Sequence, residues 1–168
     1  MSQNLQGSGA TESANTPRLS KSKFISGLQC HKRLYLEIYQ PQLATPPDAS
    51  TQAILDMGTE VGELARQRFE DGRLVTAGYR QSEAALAETA ALMADPSVPA
   101  IFEAAIQADG VLVRVDILER VRSADGGGEG WRLIEVKSST KVKDVHLDDL
   151  ALQRHVLVSA GLTIVGSH

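Results

Sequence analysis

Apolar positions recur at a helical period through the first half of the chain and run as short β-branched stretches through much of the second. Ile54, Met57, Val61, Leu64, Ala65 and Phe69 share one helical face, which predicts a long helix over residues 48–69. Ahead of it, Ser20 offers a hydroxyl cap to an amphipathic segment that Gly27 interrupts. A second helix is predicted over residues 31–39, stopped by Pro41, and the three prolines between 41 and 47 mark a loop. Asp71-Gly72 closes the long helix, Leu74 and Val75 form a short extended piece, and an alanine-rich helix is predicted over 82–94. Apolar runs over 100–107 and 111–121 then flank Asp109-Gly110, a strong hairpin signal. A third strand over 131–138, a helix opened by Asp144 or Asp148 and capped by Gly161, and a strand beginning at Leu162 complete the pattern. The expected fold is α/β, a central mixed sheet flanked by helices.

Residues 1–17 are rich in Ser, Gly, Asn, Gln and Thr and are expected to be disordered, which leaves 18–168 as one domain. The chain stops soon after its last short strand begins to form, so that domain is expected to be truncated at its C-terminus.

Two features do not fit plain packing. Gly58 and Gly62 lie four apart on the long helix, where each costs about 1 kcal/mol relative to alanine. They predict a close approach by another backbone or a ligand, a tight helix-on-sheet contact being the ordinary explanation. The second feature is Trp131-Arg132-Leu133-Ile134-Glu135-Val136-Lys137-Ser138-Ser139, where Glu135 and Lys137 would emerge on one face of a strand. Taking both charges out of water costs roughly several kcal/mol per ion unless they pair or bind something. Asp116, in the middle of the preceding apolar run, could join them from an adjacent strand.

Composition narrows the setting. The 168 residues suit a single domain, and no apolar run is long enough to span a membrane, so no membrane partner is expected. The N-terminus lacks the apolar core of a signal peptide, and the single cysteine, Cys30, excludes an intrachain disulfide; a cytoplasmic location is expected. Cys30 itself is expected to be a small buried residue. A net charge of −4 argues against coating nucleic acid through bulk positive charge, though basic residues cluster between Arg18 and Arg33 and at Lys137, Lys141 and Lys143.

Val115-Asp116-Ile117-Leu118, Ile134-Glu135-Val136-Lys137-Ser138 and Leu150-Ala151-Leu152-Gln153-Arg154-His155 follow a helix in that order. Together they resemble the motifs of the PD-(D/E)XK nuclease superfamily, in the RecB-like branch that includes CRISPR-associated exonucleases. Leu19-Ser20-Lys21-Ser22-Lys23-Phe24 and Cys30-His31-Lys32-Arg33-Leu34-Tyr35-Leu36-Glu37 are also similar to the start of a group of bacterial proteins carrying this domain. The resemblance covers roughly residues 19–165. It implies a restriction-endonuclease-like core and a nuclease dependent on Mg²⁺ or Mn²⁺, with DNA, or alternatively RNA, as partner, in repair, recombination or defence. It also implies roles: Asp116 and Glu135 as metal ligands with the carbonyl of Val136, Lys137 orienting the attacking water or the phosphate, and Gln153 positioning either one. Hard carboxylate oxygens are what Mg²⁺ takes, with water and substrate phosphate filling its octahedron. Lys141 and Lys143 are candidates for contacts to the nucleic-acid backbone.

The chain departs from this pattern twice. The branch carries Gly-x-x-x-His on its first long helix, and here Gly58-Thr59-Glu60-Val61-Gly62 has glycine in the histidine position, with Glu60 or Glu63 as possible substitutes. Its iron–sulfur members use four cysteines; only Cys30 is present, so no cluster is expected in this chain. Taken without the resemblance, Glu135 and Lys137 read as a surface cross-strand ion pair, and Asp116 as a satisfied core acid and Gln153 as a solvent-facing helix residue stay open. A nucleic-acid-binding module without chemistry, or an interaction domain with an accidental Glu-x-Lys, therefore stays open.

Overall fold

The computed structural model describes residues 19–122 and 128–168. The tail expected to be disordered, and residues 123–127, lie outside the described residues.

The sheet grows from one hairpin. Asp109 and Gly110 both take positive φ (51° and 75°), the backbone that a two-residue turn between twisted strands requires. They join β3 (Ala100–Ala108) to β4 (Val111–Arg122) in antiparallel register, and β5 (Glu129–Ile134) adds antiparallel to β4. Short parallel strands finish the sheet: β2 (Arg73–Leu74) beside β3, β6 (Ile164–Ser167) beside β5, and β1 (Leu19–Ser20) beside the start of β4. The result is an open mixed sheet of six strands in the order β2-β3-β4-β5-β6, with β1 on β4. Helices α1 (Lys21–Gln29), α2 (His31–Tyr39), α3 (Ala49–Arg66), α4 (Ser82–Ala94) and α5 (Asp144–Ser159) accompany it. This is the expected α/β arrangement. Among the described residues no helix is long and apolar enough to cross a membrane.

The two faces of the sheet are covered unequally. On one, Ile101, Val113, Val115, Leu118 and Leu133 pack against Val156 and Leu157 of α5, Ala85 of α4 and Phe24 of α1. Each large aliphatic group buried there contributes about 1.5–3 kcal/mol. Thr89 of α4 is the polar member of that face, and it is satisfied: its hydroxyl donates to the Ala85 carbonyl (2.8 Å) and accepts from Ala105 N–H (2.9 Å). On the other face only Ala100, Phe102 and Ile117 are buried, beneath Ala65 and Phe69 at the end of α3. Most of α3 stands clear, leaving Ile54, Leu55, Met57 and Leu64 exposed.

Strand alternation breaks at one point in each of two neighbouring strands. Ile101 and then Ala104 face the main core in β3, as Val115 and then Leu118 do in β4. An extra residue therefore sits between them in each strand. Glu103 and Asp116 stand opposite one another there, between the pairs Phe102–Ile117 and Ala104–Val115. Glu103 adopts φ 56°, a left-handed backbone that costs a residue with a Cβ on the order of 1 kcal/mol.

Three local expectations are corrected. Gly27 lies inside α1 rather than ending it, because a Cβ there would meet Leu34 Cδ2 of α2 at 2.9 Å. The third strand ends at Ile134, so Glu135 to Ser138 lie beyond it. Cys30 is exposed, since it links α1 to α2 away from the sheet.

Candidate active site

A cleft of about 640 Å³ opens on the thinly covered face, between α3, the segment after β2, and the bend at Glu103 and Asp116. Gly58 and Gly62 form part of its α3 wall, and a Cβ at either would meet nothing within 4 Å. They make no close backbone contact; they leave space. Asp116 accepts the Val136 N–H at 2.7 Å, which ties the end of β5 to β4 and places Val136 in the same cleft. Burial, and next the charge of Glu135, push the Asp116 carboxyl up to about 6, against the opposing pull of Lys21 and the Val136 N–H. The charge of Glu103 adds to that rise. Among the described residues Glu103 makes no ion pair or hydrogen bond. The two arginines of the cleft form no ion pair with these acids: Arg114 donates to the carbonyls of Ala77 and Gly78, and Arg66 to that of Gly62.

Glu135 faces the other way, into a network of paired charges. Its carboxylate, whose side chain is only 5% exposed, accepts from Lys21 Nζ (3.0 and 3.2 Å), from Lys137 Nζ and from Gln153 Nε2 (2.7 Å). Asp149 of α5 completes the network, accepting from Lys137 at 2.9 Å and from Gln153 at 3.2 Å, with Lys21 3.5 Å away. Burial disfavours the charge on Glu135, but Lys21, Lys137 and Gln153 overcome it and hold the carboxyl down at about 2. Burial likewise opposes the charge on Lys137, and its bonds to Glu135 and Asp149 raise it well above the ordinary lysine range. Lys21 is also raised: Glu135, Asp149 and Asp116 together outweigh its burial. Two carboxylates thus meet two ammonium groups, and the network is balanced. Asp116 and Glu103 are left over, facing the cleft.

Asp116, Glu135, Val136, Lys137 and Gln153 are therefore neighbours, as the motifs imply. Gln153 differs in placement from its expected role: it is fully buried and its amide grips Glu135 and Asp149. Its Oε1 has no partner among the described residues. Lys141 lines a second groove with Glu135, Lys137 and Ser139, while Lys143 is exposed at the start of α5. His155 pairs with Asp109 of the hairpin (3.3 Å) and does not join the acids. Glu60 and Glu63 are exposed and do not line the cleft.

Sequence reasoning left out three members: Lys21, Asp149 and Glu103. Asp149 stands four residues before Gln153, one helical turn, so the shared face was available. A two-residue turn at 109–110 already sets Glu103 opposite Asp116. Lys21 carried no such signal, since its partner lies 114 residues away.

Among the described residues no three His, Cys, Asp or Glu side chains converge as a ready metal cage. The oxygens present are two cleft-facing carboxylates with the backbone of Val136 beside them, a partial set suited to a hard cation that keeps water ligands. No protein-family model, curated protein or solved structure matches this chain.

Proposed function

We propose that the chain is a divalent-metal-dependent nuclease with a restriction-endonuclease-like core, hydrolysing phosphodiester bonds of DNA. The observation that carries this reading is the pair of uncompensated acids, Asp116 and Glu103, beside a neighbouring network in which every charge is matched. An acid excess buried beside a cleft costs stability, and a divalent cation removes that cost. Asp116 would hold the Mg²⁺ or Mn²⁺ with Glu103 as the second cleft-facing carboxylate, and Glu135 and the Val136 carbonyl, the ligands the resemblance implies, would join once the cation takes the place of an ammonium on Glu135. The bound cation supplies charge neutralisation at the phosphate and lowers the pKa of water.

The remaining work belongs to the chain's own groups. Lys137 stays an ammonium across the neutral range, so it donates to the phosphate or to the attacking water and does not serve as a base. Gln153 and Lys21 are positioning residues, fixing the Glu135 carboxylate through their hydrogen bonds. Asp116, with its carboxyl near 6, is ionised at neutral pH and ready to meet a cation.

A second reading, a nucleic-acid-binding module without chemistry, draws on Gly62 in the histidine position and on the saturation of Glu135 by three donors. Incubating end-labelled linear and circular DNA with Mg²⁺, Mn²⁺ or EDTA separates the two. The nuclease reading expects metal-dependent cutting that Asp116→Ala and Lys137→Ala abolish. Binding of DNA with no cutting under any metal would move the assignment to the second.

A further inference from the structure

The cleft holds a feature that the acid chemistry does not use. Tyr79 lines it together with Asp116 and Glu103, yet the side chain is 81% exposed. An aromatic ring left in water forgoes burial, and here it is held in place. The Arg114 guanidinium sits over the ring, 5.0 Å from its centroid, and Arg114 is itself pinned by the carbonyls of Ala77 (2.5 Å) and Gly78 (3.1 Å). From the other side Glu88 of α4 accepts the N–H groups of Thr76 (3.0 Å) and Ala77 (3.2 Å), and Gln81 accepts that of Gly78 (3.0 Å). The three residues before Tyr79, Thr76 to Gly78, are thus tied to α4, to the residue that precedes it and to β4. The exposure is built, not a consequence of a loose loop.

We propose that Tyr79 is the stacking platform for one unpaired base of the DNA strand whose backbone lies at Asp116. One ring face is taken by Arg114 and the high exposure leaves the other open, the arrangement on which a base stacks without regard to its identity. Tyr79 lines the cleft together with Glu103 and Asp116, so the ring and the acids share one space. A cleft of about 640 Å³ suits a ligand of small-molecule size, about a nucleotide or two. The glycine wall of Gly58 and Gly62 gives the strand its room. Tyr79 is therefore a positioning residue, setting which phosphate arrives at the acids.

This rests on the nuclease reading, and the test keeps the two apart. Binding of a fluorescent single-stranded oligonucleotide is measured at low salt with Mn²⁺ in a Lys137→Ala background, which keeps the acids and does not cut, with the wild-type Tyr79, Tyr79→Ala and Tyr79→Trp. Cutting by the wild type is measured in parallel with Mn²⁺. The platform predicts that Tyr79→Ala binds about 5- to 100-fold more weakly while Tyr79→Trp binds at least as well as wild type. A single abasic position scanned along the oligonucleotide should reproduce the loss in the wild type at one place and add nothing there in Tyr79→Ala. Wild-type cutting with Tyr79→Ala binding unchanged, or a loss that no abasic position reproduces, overturns the platform and leaves the nuclease standing. A wild type that neither binds nor cuts overturns both.

Discussion

The two sides of the sheet's active end are built on opposite electrostatic terms. Toward α5, Lys21 and Lys137 meet Glu135 and Asp149, and Gln153 fills a remaining acceptor site. Toward α3, Asp116 and Glu103 stand opposite each other at the β3–β4 bend; Asp116 accepts one backbone N–H and feels Lys21 without pairing with it, and neither acid has an ion-pair partner among the described residues. Both carboxylates are partly buried, yet they end with opposite titration: Glu135 is held down at about 2 and Asp116 pushed up to about 6. The difference teaches that burial alone does not set the charge state; the count of cations within reach does. One side is finished as protein. The other is left with an excess of acid.

Removing the acid from the unfinished side should have the largest effect. Asp116→Asn should lower metal-dependent cutting by about a thousandfold or more in the DNA assay, since a metal ligand and a transition-state charge partner go together. Removing a cation from the finished side comes next. Lys21→Met leaves Glu135 and Asp149 with one lysine, and should cost about 3 kcal/mol in denaturant unfolding. A loss below about 1 kcal/mol would show that the network is not balanced as described.

The pH response follows in size, and its sign differs between the sides. Asp116 holds its proton in the folded state up to about 6 but releases it near 3.8 when unfolded. Metal-free stability should therefore fall as pH rises from about 4 to 6, on the order of 2 kcal/mol, and Asp116→Asn should remove that fall. Glu135 acts in reverse: its contribution is present above about 4.5 and lost as pH drops toward 2. Thermal unfolding of both proteins in EDTA across this range checks both signs. The smallest effect belongs to the glycine wall. Gly58→Ala and Gly62→Ala each meet open space and should raise stability by up to about 1 kcal/mol through helix propensity, while narrowing the cleft.

What the sequence made legible divides along the same line. The hairpin was readable because Asp109-Gly110 supplies two residues that tolerate positive φ between apolar runs. Asp116, Glu135, Lys137 and Gln153 stood out because charged or amide groups interrupt apolar patterns. Lys21 did not, because its role arises from a strand of two residues that docks α1 beside a segment far along the chain. Glu103 was hidden differently: the alternation of β3 shifts by one at that residue, so its face follows from a left-handed backbone that no propensity announces. Of the two readings of the α3 glycines, a close backbone contact fails, and the open space beside them leaves the ligand reading.

The central claim is that the uncompensated acids take a divalent cation. Calorimetric titration of Mn²⁺ into the metal-free protein at pH 7, with wild type and Asp116→Asn side by side, tests it most directly. Binding at a single class of site in the wild type, lost in the variant while its fold persists, is the predicted result. Absence of binding in the wild type, or equal binding in both, would contradict it.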